Sequence, residues 1–158
     1  MPPTIDHNEL LAGYGRSVGI EGIAFDDAGE AYLAFDDIVI RFFHDAARRQ
    51  ILLSAPVFDD TVTPDVDVYA SLLELNLGGI LHDSGSVGLD KDTGAVIFSN
   101  AISLTGLEQA RFDAFVAAGI DLVEAWRKLV ESENFPRMIE KLPESVPPED
   151  DAIAMIRV

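Results

Sequence analysis

The chain has no cysteine, which excludes disulfides, thiolate nucleophiles and cysteine-ligated zinc, and fits a reducing compartment. Positive charge is also scarce: Lys and Arg number 11 against 28 Asp and Glu, a net charge of −17. Such a surface repels phosphate backbones and anionic headgroups, so nucleic acid and membrane surfaces are poor partners. Long apolar runs are missing too, the longest reaching about six residues where a membrane-spanning helix needs roughly 20. The opening MPPTIDHNELL has no basic stretch leading into an apolar one, so no secretory signal is legible and a cytoplasmic location is expected. Histidine occurs three times, at His7, His44 and His82. None has a second ligand at zinc-binding spacing, and all three read as loop-edge side chains.

Apolar side chains are what the chain has in quantity. Of 158 residues, 48% are hydrophobic, too many for a disordered acidic chain and enough for the core of one domain. D-H-N-E at Asp6 to Glu9 is a capping-box pattern, and Leu10, Leu11, Tyr14 and Val18 follow at helical spacing. Short β-rich runs then alternate with polar turns: Ile23 to Phe25, Ala31 to Phe35, Ile38 to Phe43 and Gln50 to Ala55. Thr63 and Pro64 open a second helix that should stop at Leu77, before Gly78 and Gly79. Val87 to Leu89 and Ala95 to Ser99 form a hairpin around Asp90 to Gly94. Thr105 with Glu108 caps a third helix whose face carries Phe112, Val116, Gly119, Val123, Trp126 and Val130. Beyond Glu131 prolines cluster at 136, 143, 147 and 148 beside acidic residues, so residues 1–131 form the domain and 132–158 a proline-rich acidic tail.

No catalytic constellation is legible. Asp90, Asp92 and Gly94 resemble the start of a calcium loop, but position 12 of an EF-hand, which must be a bidentate glutamate, falls on Ala101. The pairs Asp26–Asp27, Asp36–Asp37 and Asp59–Asp60 sit where strands should stop, as turn residues do. Gly13, Gly15 and Gly19 miss the spacing of a phosphate-binding loop, and Gly85-Ser86-Val87-Gly88 is not a nucleophile elbow. No enzyme activity, metal or cofactor is expected.

The second helix points instead to binding. Val66, Tyr69, Leu73 and Leu77 form one apolar stripe and Val68, Leu72 and Leu75 another, more than one core would cover. In the meander Ile38, Ile40 and Phe42 face one way and Val39 and Phe43 the other, so both sheet faces carry apolar side chains.

The order of these elements, with the stretches LLAGYGRSVGI, GIAFDDAGEAYLAFDD, ILLSAPV, YASLLELNL, GSVGLDKDTGAVIFSN and LTGLEQARFDAFVAAGIDLVEAWRKLV, resembles the class I type III secretion chaperones, the Tir chaperone family. The resemblance implies an α+β fold, a small antiparallel sheet with three helices in the order α-β-β-β-α-β-β-α, and a homodimer in the bacterial cytosol. It implies a protein that uses no cofactor, binds the N-terminal region of a secreted effector in extended form and keeps it soluble for export. By position it puts the dimer contact on Val68, Leu72, Leu75, Val87 and Leu89. It puts the effector patches on Leu11, Tyr14, Phe25, Leu33, Phe35, Ile40 and Phe42. The chain also resembles the YbjN-like sensory or regulatory proteins, whose fold implies no role in secretion.

Overall fold

The computed structural model describes residues 6–58, 66–81 and 85–131. They form helices α1 (His7–Ser17), α2 (Val66–Leu81) and α3 (Gln109–Glu131) and strands β1 (Glu30–Phe35), β2 (Ile38–Asp45), β3 (Gln50–Pro56), β4 (Ser86–Leu89) and β5 (Val96–Ser103). All neighbouring strands are antiparallel, in the order β1-β2-β3-β5-β4. This is the α+β architecture and element order expected. Thr63–Pro64, His82, Asp59–Asp60 and the tail lie outside the described residues.

Local chemistry starts each element. Asp6 is extended, and its Oδ1 accepts the Asn8 N–H at 3.0 Å, an N-cap worth about 1 kcal/mol. Asn8 in turn holds the next segment, its Oδ1 accepting the Phe25 N–H at 3.0 Å. That bond belongs to a corrected expectation: Ile23 to Phe25 is not a strand, because its backbone is tied to a helix side chain and not to a ladder. Asp26 does the turn work expected of it, accepting from Ala28 N–H at 2.9 Å and Glu30 N–H at 2.8 Å. Between β1 and β2, Asp36 takes a left-handed conformation (φ +51°), which aspartate tolerates better than most residues. In the β4–β5 turn Asp90 accepts from the Asp92 N–H and the Thr93 hydroxyl, which lowers its pKa below the ordinary carboxylate value, the Asp92 amide contributing most.

Period-two alternation sorts the strands. Ala31, Leu33, Ile38, Ile40, Phe42, Ile51, Leu53, Ala55, Val96, Phe98 and Ile102 are buried, whereas Tyr32 and Val39 are exposed. The buried set meets α1 and α3, which pack on each other, α3 also lying against β3 and β5. Phe42 and Tyr14 both lean on Phe112, with ring centroids 6.5 Å away. A Cβ on Gly119 would sit 2.7 Å from Leu53 Cδ1, so the glycine lets α3 approach β3 closely. Gln109 joins the two helices, its amide donating to the Leu10 carbonyl at 3.0 Å and to Asp113 at 2.7 Å.

Three boundaries differ by several residues from expectation. β5 runs on to Ser103 because its residues beyond Ser99 pair with β3, Asn100 to Ser103 lying opposite Leu53 to Gln50. α2 passes through Gly78 and Gly79 to Leu81, since glycine inside a helix costs only about 1 kcal/mol and does not by itself end one. α3 starts at Gln109, not in the Thr105 turn: the Leu104 carbonyl accepts from Leu107 N–H, and the Glu108 carbonyl from Arg111 and Phe112 N–H.

Candidate functional site

The first open surface is on α2. Leu72 is 3% exposed and belongs to the core, whereas Val66 is 80%, Leu73 69% and Leu77 62% exposed. Tyr69, Leu72 and Leu73 line an apolar groove of about 270 Å³ with Val87, Gly88, Leu89 and Val96. Leu89 is exposed, and Val68 and Val87 are half-buried; the side chain of Leu75 is outside what the structure describes. The helix does carry two apolar stripes: on one, Leu72 is taken by the protomer's own core and is corrected from a contact to a core position, and on the other Val66, Leu73 and Leu77 are exposed. Both stripes are equally apolar in sequence, and only the position of β4 decides between them.

Strand β4 is held to α2, the Asn76 Oδ1 accepting the Val87 N–H at 2.7 Å. The Asp90 N–H donates to the Ala95 carbonyl, and with the β4–β5 register this fixes which β4 residues bond to β5: Ser86 and Gly88 do, and the amides of Val87 and Leu89 point outward. One of those two amides is therefore already occupied.

The opposite edge, β1, is more open. His44 N–H donates to the Gly29 carbonyl, so by the β1–β2 register Ala31, Leu33 and Phe35 bond to β2 while Glu30, Tyr32 and Ala34 turn outward. Asp26 occupies both backbone groups of Glu30. Tyr32 and Ala34 present theirs at the edge. Half-buried Phe25 and Phe35 flank it, and Tyr32 and Val39 stand exposed on the outer face. The Glu30 carboxylate bonds to the Arg41 guanidinium and accepts from the Tyr32 hydroxyl at 2.5 Å. The Arg41 bond is the main cause, and the Tyr32 bond the second, of a Glu30 pKa below the ordinary carboxylate value.

The expected effector residues divide accordingly. Leu11, Tyr14, Leu33, Ile40 and Phe42 are at most 5% exposed, so they are corrected to core positions: strand alternation and the α1 stripe turn them toward each other, leaving no apolar area for a partner. Phe25 and Phe35 remain at the surface. Tyr32 and Val39 are the positions sequence reasoning passed over; their signal was the alternate face of the same strands.

A second hollow, of about 190 Å³, lies between the β1–β2 turn and α3, lined by Phe35, Asp36, Asp37, Ile38, Glu124, Arg127 and Lys128, with Arg127 paired to Asp37 at 2.9 Å. Among the described residues no three His, Asp or Glu side chains gather to hold a metal ion, and no described helix is long and apolar enough to cross a membrane.

A five-stranded antiparallel sheet with three helices leaves an open edge and an exposed apolar helix face, surfaces suited to another polypeptide, and the sequence gives the family. Residues 9–127 match the Tir chaperone protein (CesT) family, three-quarters of the chain, and the chain belongs to that family of type III secretion chaperones. Among individual proteins it is similar to the transcriptional anti-antiactivator ExsC of Pseudomonas aeruginosa, 29% identical over 124 residues, which are 78% of this chain and 84% of ExsC. The solved ExsC–ExsE complex matches with a TM-score of 0.72 at 28% identity, covering 82% of this chain and 97% of the other. The HopA1–SchA chaperone–effector complex matches in fold, with a TM-score of 0.65 at 23% identity over 76% of this chain and 91% of the other.

Proposed function

We propose that the protein is a homodimeric chaperone of the bacterial cytosol that binds the N-terminal segment of a secreted effector in extended form and keeps it soluble and competent for export. The observation that carries this reading is the unequal pair of sheet edges: β1 offers the amides and carbonyls of Tyr32 and Ala34 to an incoming strand, beside Phe25 and Phe35, while Asn76 occupies the Val87 amide of β4. Strand addition supplies backbone hydrogen bonds and the flanking aromatics supply side-chain pockets. Cargo therefore adds to β1, and the β4 end serves the twin subunit, through Val66, Leu73, Leu77 and Leu89 with the groove of Tyr69 and Val87. Covering these side chains contributes about 25 cal/mol per Å² of apolar area, less the cost of ordering the cargo. The net charge of −17 favours neutral or basic cargo segments.

The test is purification of the tagged protein from its host, identification of its bound partners by mass spectrometry, and titration of a captured N-terminal segment at low and high salt. Ala34→Pro removes an outward N–H at an edge position, which an edge strand tolerates. It should weaken the segment by about tenfold or more while leaving dimer mass unchanged, and a segment that binds the variant as tightly as the parent removes β1 as the docking edge. A second reading follows from the likeness to an anti-antiactivator: the same surface binds a regulator of transcription. Recovery of a regulator, and no exported protein, from the same purification would favour it.

A further inference from the structure

His7 and His44 are far apart in sequence, in the first turn of α1 and near the end of β2, yet their rings stack with centroids 3.7 Å apart and planes 19° from parallel. Phe25 lies against both, 5.5 Å from His7 and 6.0 Å from His44. The three rings close a joint between α1, the loop before β1 and the end of the sheet. Two main-chain bonds latch that joint: Phe25 N–H to the Asn8 side chain at 3.0 Å, and His44 N–H to the Gly29 carbonyl at 2.8 Å.

Stacked neutral imidazoles attract as other aromatic pairs do. Two imidazolium rings face to face repel, and in a half-buried site water screens them incompletely. Asp6 and Asp45 are the carboxylates that act on the pair: Asp6 Oδ1 is 3.4 Å from His7 Nδ1, and both influence His44 electrostatically. Asp45 is shared with the Arg48 guanidinium at 3.2 Å. This surrounding negative charge accommodates one proton on the pair, while a second sets two cations in contact. We propose that the His7–His44 stack is an acid-sensitive clasp, whose double protonation separates the rings and releases the first turn of α1, with Phe25, from the end of the sheet.

The sign follows from where His44 sits. Burial first, and then the His7 ring, hold its pKa below the ordinary 6.5. Below that value the opened state binds a proton that the closed state resists, so closure is fully stable above about pH 6.5 and weakens as pH falls through and below it. Opening exposes Phe25, which the docking reading uses, but the clasp does not depend on that reading, and the free protein suffices to test it.

The experiment is amide hydrogen exchange on the full chain, corrected for the intrinsic effect of pH, in the parent and in His7→Phe, which keeps an aromatic ring in the stack and removes its charge. From about pH 7.5 to about pH 5.5 protection of the Phe25 and His44 amides should fall about tenfold in the parent and clearly less in the variant, where only the burial of His44 remains, with core amides such as Val116 steady in both. Equal losses in parent and variant, or none in the parent, would overturn the clasp. Should His7→Phe fail to fold, His44→Phe is the second variant: protection of the Phe25 amide should then change clearly less than in the parent over the same pH range, and a loss equal to the parent's would overturn the clasp.

Discussion

Helices α3 and α2 make different use of their apolar residues. On α3, Phe112, Val116 and Val123 are buried against β3, β5 and α1, and exposed positions such as Arg111, Glu124 and Lys128 are charged. On α2, Leu72 is buried while Val66, Leu73 and Leu77 stand open, Leu73 sharing a groove with Leu89 of β4. A helix with one apolar stripe is completed by its own core. A helix with two is completed only by a second surface, and an uncovered patch beside an apolar groove is what an association site leaves on an isolated protomer. The contrast teaches that α3 buries its apolar residues within the protomer, whereas α2 leaves part of its own exposed, on the surface that the proposed dimer would cover.

Substitutions along α2 can break that contrast. The largest effect belongs to Leu72→Asp: a carboxylate in the core of the protomer has no partner there, and a loss of about 3 kcal/mol or more in urea unfolding is expected, with the fold itself failing in the extreme. Leu73→Asp, one residue on, should leave helix content and urea midpoint near those of the parent and halve the mass seen by light scattering. A dimer that survives Leu73→Asp and Leu77→Asp together would mean that the open stripe has another use. The smallest effect sharpens the picture at β4, where Asn76→Ala removes the acceptor for the Val87 N–H. It should cost about 1 kcal/mol and speed exchange of that amide, and unchanged exchange would show that β4 does not depend on α2 for its position.

Much of this architecture is legible before any coordinates. The Asp6 cap, the alternation through Ile38, Ile40 and Phe42, the turn chemistry of Asp26 and Asp90 and the long stripe of α3 all appear where periodicity and capping put them. The docking residues are far less legible. Leu33, Ile40 and Phe42 are strongly apolar, and that property makes them core; the surface positions Tyr32 and Val39 belong to the weaker half of the same alternating pattern. Ile23 to Phe25 has strand composition, but a bond from a side chain 17 residues away claims its backbone.

By itself the sequence determined the α+β class, the Asp6 cap, the aspartate turns, the acidic surface and an apolar surplus centred on the second helix, because these depend on contacts within a few residues or on composition alone. Only the tertiary structure decided which stripe of α2 is free, that β5 enters between β3 and β4, that the β1 edge is open where β4 is partly occupied, and that His7 meets His44. Each of these is settled by packing between elements distant in the chain, where apolar side chains of similar size compete for one interior and a single hydrogen bond, such as Asn76 to Val87, tips the result.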